Sequence, residues 1–121
     1  MYSFRAETHI MKKDLRVYIE DIVDSCAKIA QYIDVQSKEQ FEENIELQDA
    51  VIRRLQIVGE AVKRLPQEYR EKHAHIDWRK AAAMRDVLVH DYDDVDIDRV
   101  WVTITKILPP FKNQIEKLIV E

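Results

Sequence analysis

Glycine occurs once in these 121 residues, at Gly59, cysteine once, at Cys26, and proline three times. A fold of many short strands needs Gly and Pro turns at close intervals. Their scarcity therefore excludes an all-β design and predicts long uninterrupted helices. A single cysteine permits no intrachain disulfide and fits a reducing compartment. No apolar run approaches the roughly 20 residues of a membrane-spanning helix. The N-terminal residues lack the apolar core and cleavage site of a secretory signal. The expectation is a soluble cytoplasmic protein with no membrane association. An overall basic charge is missing too, since 23 Asp and Glu outnumber 19 Lys and Arg for a net charge of −4. Broad electrostatic attraction for nucleic acid is thus disfavoured.

What is present is an ordinary globular balance, 46% hydrophobic and 35% charged, enough for one domain and one core. Residues 1–10 carry no periodic pattern and read as an extension; the domain is expected over 11–121. From Met11, the positions Leu15, Ile19, Ile22, Cys26, Ile29 and Ile33 recur at three- and four-residue steps, one face of an amphipathic helix. Ser37 with Gln40 three residues on predicts a capping box. A second long helix is expected beyond it, with the stripe Leu47, Val51, Leu55, Val58, Val62 and Leu65 widened by Ile45, Ile52 and Gly59.

Pro66 ends that helix and opens a short connector helix, Gln67 to Lys72. Asp77 is the expected N-cap of a helix from Trp78 to about Val89. The acidic turn from Asp91 to Asp96 suits the start of a last helix. That helix presents Ile97, Val100 or Trp101, Ile104, Leu108, Phe111, Ile115 and Leu118, and Pro109-Pro110 should kink or break it. The predicted architecture is all-α, an antiparallel bundle of four main helices plus the short connector helix.

The run Arg85-Asp86-Val87-Leu88-Val89-His90-Asp91-Tyr92 reads R-x4-H-x-Y. On one straight helix Arg85 and His90 would stand roughly 140° apart, so convergence needs the helix to end near His90 or a second chain to supply one of them. A histidine at a helix C-terminus has its protonated form favoured, and it suits proton transfer at neutral pH. Arg85 stays charged and can grip a phosphate with parallel hydrogen bonds. The pair suffices for metal-independent RNA cleavage in which a ribose 2′-hydroxyl attacks the adjacent phosphate. One histidine does not readily act as both base and acid in one step. Taken alone, so short a spacing is common by chance and reads more readily as Arg85 pairing to Asp86 or Asp91 while His90 caps a helix.

With Tyr92 at this offset, the stretch Ile52-Arg53-Arg54-Leu55-Gln56-Ile57-Val58-Gly59-Glu60-Ala61, and Trp78 opening the motif helix, the chain resembles the HepT branch of the HEPN superfamily. The likeness runs from about Met11 to the end, although His73 to Asp77 replaces a proline-containing connector expected in such relatives. The resemblance implies a HEPN-like bundle and a ribonuclease toxin of a type VII-like toxin–antitoxin system. It also implies a homodimer with a composite cleft, Arg85 and His90 as catalytic pair, and RNA (tRNA or mRNA) as substrate. Tyr92 would be the residue to which an MntA-like nucleotidyltransferase antitoxin transfers AMP. Arg53 and Arg54 are further candidates for substrate contact, though solvated helix surface accounts for each of them singly.

Other patterns are weaker. His73-x-His75-x-Asp77 has metal-ligand spacing, but it sits in a connector with no further ligand nearby and reads as a solvated loop. Asp94, Asp96 and Asp98 begin like a calcium loop, but Arg99 stands where such a loop needs Gly and Thr105 where it needs Glu. Cys26 belongs to an apolar stripe and is expected in the core. No Gly-rich phosphate loop is present, and no metal or cofactor is expected. The competing function is a non-catalytic helical adaptor that binds a nucleotidyltransferase or a nucleotide through Arg85 and His90.

Overall fold

A computed structural model describes the backbone of residues 2–82 and 96–120, with side chains over 15–82 and 96–119. The described residues are helical, with no strand among them: α1 (Tyr2–Ile33), α2 (Lys38–Glu43), α3 (Ile45–Arg64), α4 (Gln67–Lys72), α5 (Ile97–Val102), a π-helical turn (Thr103–Ile107) and α6 (Leu108–Val120). Residues 78–82 are helical as well. The all-α fold is as the composition predicts. Of the third main helix expected, Trp78 to about Val89, only this first part lies within the described residues.

α1 packs along both α3 and α6, and α2 lies against α3 and α5. The stripe of α1 supplies Ile19, Ile22, Cys26 and Ile29 to the core, and that of α3 supplies Val51, Leu55, Val58 and Val62, with Leu65 just past its end. The C-terminal run adds Val100, Ile104, Leu108, Phe111, Ile115 and Leu118. Burying each of these larger side chains stabilises the fold by about 1.5–3 kcal/mol. The helix of α1 begins at Tyr2, ahead of the apolar stripe that starts near Met11.

The expected long second helix is divided. Ser37 and Gln40 form the reciprocal capping box, with the Gln40 N–H donating to Ser37 Oγ at 3.1 Å and the Ser37 N–H to Gln40 Oε1 at 2.9 Å. The helix they start stops after six residues. Asn44 then leaves helical backbone (φ −108°, ψ 91°), and its Oδ1 accepts from the Leu47 N–H at 3.0 Å. Gln48 Nε2 donates to the carbonyls of Phe41 and Glu42, at 2.8 and 3.0 Å, which satisfies acceptors left over at the end of α2. Because α3 begins only at Ile45, that side chain is not part of the apolar face; it is 70% exposed.

α2 is fastened by Phe41, fully buried, whose ring centroid lies 5.3 Å from that of Trp101 on α5. Lys38 Nζ stands 3.2 Å from Asp98 Oδ1 beside it. The hydrogen bond to Asp98, with that carboxylate's charge, raises the Lys38 pKa above its ordinary 10.5; both groups face solvent.

Pro109-Pro110 does not break the last helix. The turn just before them widens instead, with the Leu108 N–H donating to the Thr103 carbonyl, the five-residue step of a π turn. Two prolines lack N–H groups and their rings crowd the carbonyls four residues back. A wider turn relieves that crowding without ending the helix. The hydroxyls of Thr103 and Thr105 donate to the carbonyls of Arg99 (2.8 Å) and Trp101 (2.7 Å), so these threonines also bond their own helix backbone.

Candidate active site

Arg85, His90 and Tyr92 lie outside the described residues, which flank them at 2–82 and 96–120. Asp77 caps the helix at 78–82 as expected, its Oδ1 accepting from the Lys80 N–H at 3.1 Å. Trp78 fixes that helix in place. Its Nε1–H is shared between the carbonyls of Arg70 and His73, both at 3.1 Å. Its ring meets Phe111 edge to face, with centroids 6.2 Å apart. Ala81 is fully buried one turn on. On the far side Asp96 caps α5, accepting from the Arg99 N–H at 3.3 Å. The stretch between is thus entered from a capped, packed helix and left through another cap.

Arg53 and Arg54 stand on α3 between the core residues Val51 and Leu55. Arg53 is exposed and Arg54 half-buried. Being adjacent, they project about 100° apart, so they do not form one bidentate clamp. Among the described residues neither takes part in a hydrogen bond or an ion pair.

A groove that sequence reasoning missed lies between α4 and the helix at 78–82. Arg70, Glu71, His75, Asp77 and Arg79 are among the residues lining its volume of about 690 Å³, together with the buried Ile76 and Trp78. Arg70 Nε is buried without a hydrogen-bond partner among the described residues, a state that costs about 1–3 kcal/mol for a donor cut off from water. Tyr69 and His73 meet at a tilt, and His73 and His75 edge to face, with centroids 4.7 and 6.0 Å apart. The elements of this groove come from three segments, α4, the connector and the next helix, which is why no contiguous motif announced it. Arg70 and Arg79 flanking Trp78 was the available signal.

The described residues contain no grouping of three or more His, Cys, Asp or Glu side chains able to hold a metal ion. Cys26 lies in the core as expected. Burial pushes its thiol pKa up to about 12, opposed in part by Lys112, which leaves it a poor nucleophile.

A family model described as "Ribonuclease HepT-like" matches residues 22–118. The chain belongs to the HepT-like ribonuclease family. The match runs from the middle of α1 to the last turns of α6 and includes positions 85, 90 and 92. Membership gives the chain its coarse function, that of a ribonuclease. Among HepT-like relatives, "Gamma-glutamylcyclotransferase and putative RNase MJ0434" of Methanocaldococcus jannaschii is 41% identical over 92% of this chain and 50% of its own length. The chain thus spans half of that relative. "Putative RNase TTE0752" of Caldanaerobacter subterraneus subsp. tengcongensis is 38% identical over 88% of this chain and 96% of its own length. "Probable ribonuclease HepT" of Thermococcus cleftensis is 38% identical over 89% and 98%. No solved structure matches the chain. Among the described residues no helix is long and apolar enough to cross a membrane.

Proposed function

We propose that this HepT-like chain cleaves RNA without a metal, using Arg85 and His90, and that AMP transfer to Tyr92 switches it off. The observation that carries this reading is the family match over 22–118, which encloses a complete R-x4-H-x-Y run. In the reaction, the 2′-hydroxyl oxygen forms a bond to phosphorus and the bond from phosphorus to the 5′-oxygen breaks. One imidazole takes the 2′ proton, and an imidazolium gives a proton to the departing 5′-oxygen. Arg85 stabilises the charge gathering on the non-bridging oxygens. The products are a 2′,3′-cyclic phosphate and a 5′-hydroxyl.

Acid and base are needed together, so the working unit is a two-fold homodimer whose cleft collects Arg85 and His90 from both chains. The partner is an MntA-like nucleotidyltransferase, the antitoxin of a cytoplasmic toxin–antitoxin pair, and the substrate is tRNA or mRNA. An AMP on Tyr92 places an anionic, bulky group two residues from His90, where it competes with RNA for Arg85. The purified protein should cleave RNA in EDTA and leave cyclic phosphate ends, and His90→Ala should abolish cleavage with unchanged far-ultraviolet circular dichroism. Activity lost on chelation and restored by a divalent ion would overturn this mechanism.

A further inference from the structure

The groove between α4 and the helix at 78–82 has the makings of a binding site apart from the R-x4-H-x-Y residues. Its volume of about 690 Å³ falls in the range of roughly 300–1,000 Å³ usual for small-ligand pockets. Its lining is fixed at Trp78, because the indole N–H holds the carbonyls of Arg70 and His73. The charges lining it differ in how far they are committed. Asp77 Oδ1 is occupied by the Lys80 N–H, with Lys80 Nζ 4.0 Å from its Oδ2. Glu71 Oε1 accepts from Gln67 Nε2 at 3.0 Å. Arg70 and Arg79, by contrast, have no side-chain acceptor among the described residues, and Arg70 Nε is a buried donor without a partner. His75 is exposed at the rim.

We propose that this groove seats one nucleotide of a single-stranded RNA, with Arg70 and Arg79 on a backbone phosphate and the His75 ring against a base. The assignment rests on the reading that the chain acts on RNA. Guanidinium groups match phosphate oxygens in a fork geometry, and unpaired RNA bases stack on imidazole and guanidinium planes. Glu71 Oε2, the carboxylate oxygen not taken by Gln67, suits the amino hydrogens of a base, and Asp77 lines the same groove. An acidic peptide would instead bring more carboxylates against those two. The net charge of −4 leaves little general attraction for a polyanion, so local contacts of this kind must supply the hold. Arg79 lies six positions before Arg85 on the same run of chain, so a strand held here is tethered to the segment that carries the motif.

The test is fluorescence anisotropy of a labelled single-stranded 2′-O-methyl RNA, which lacks the attacking hydroxyl and cannot be cleaved. Arg79→Gln should weaken binding by about tenfold and flatten the plot of log affinity against log salt by about 0.7. Arg70→Gln should do the same. Arg79 is exposed, so its variant separates loss of contact from loss of fold should the half-buried Arg70 prove structural. Lys117→Gln, on exposed α6 surface, should change neither quantity. Unaltered affinity and salt slope in both arginine variants would overturn the groove; if the wild type still cleaves natural RNA, the nuclease reading stands without it. The reverse result, arginine-dependent binding with no cleavage of any RNA, would keep the groove and remove the nuclease reading. Displacement of the oligonucleotide by AMP at concentrations near the oligonucleotide's own Kd would also overturn the proposal, because the site would then serve free nucleotides.

Discussion

Trp78 and Phe111 meet edge to face, their ring planes 86° apart, and so tie the first turn of the helix at 78–82 to α6. Trp78→Ala removes that contact along with the indole N–H bonds and should cost about 3–5 kcal/mol. Trp78→Phe keeps a ring against Phe111 and loses only the N–H bonds, so about 1 kcal/mol is expected. Urea denaturation reads both. A Trp78→Ala midpoint equal to wild type would show that this contact anchors nothing.

The proposed two-fold cleft makes a prediction about mixtures. Light scattering at micromolar concentration should report a dimer. After subunit exchange with excess His90→Ala protein, wild-type activity should fall below the value expected from simple dilution, because mixed dimers lack one of the two imidazoles. A monomer that cleaves RNA would contradict the shared site.

Tyr92→Phe keeps the ring and removes the acceptor oxygen. The variant should fold, retain at least part of the nuclease activity, and escape modification when incubated with the cognate nucleotidyltransferase and ATP. Peptide mass spectrometry locates the AMP. Finding it on another residue, or full inhibition without any modification, would rule out control through Tyr92.

Cys26 sets a pH limit. Its folded pKa of about 12 lies above the ordinary 9.0, so the unfolded chain loses the thiol proton first as pH rises. Stability contributed by the neutral, buried thiol is complete below pH 9 and declines between pH 9 and about 12. Cys26→Ala should flatten this alkaline decline in denaturation curves, while being less stable at neutral pH through loss of buried volume. An identical alkaline slope in both proteins would exclude Cys26 as its source. At neutral pH the wild-type thiol should react with a thiol reagent only as fast as the chain unfolds.

Much of the fold could be read from spacing and cap chemistry. The stripes of α1 and α3, the Ser37 box, the stop at Pro66 and the Asp77 cap all follow from local rules that the core does not contradict. Asn44 escaped notice because the flanking run Glu42-Glu43-Asn44-Ile45-Glu46-Leu47 is compatible with continuous helix. Its side-chain bond to Leu47 and the Gln48 bonds to the last carbonyls of α2 mark the break. Phe41 sits among polar neighbours in α2 and shows no periodicity, yet it is fully buried because α5 returns to cover it. Pro109-Pro110 signalled trouble correctly, but the helix answers by widening. At the candidate site, the R-x4-H-x-Y run was visible as a motif, whereas the groove at Arg70 and Arg79 depends on how α4 and the connector fold back, and two arginines flanking Trp78 are a weak signal for it.

The pairing of α2 with α5 also bears on the order of events during synthesis. Phe41 against Trp101 and Lys38 against Asp98 join points far apart in the chain, and such contacts form late because a long loop must first close. Positions 85 to 92 lie inside that loop. On the ribosome, α2 therefore waits without its partner, Phe41 uncovered by Trp101, until α5 has emerged.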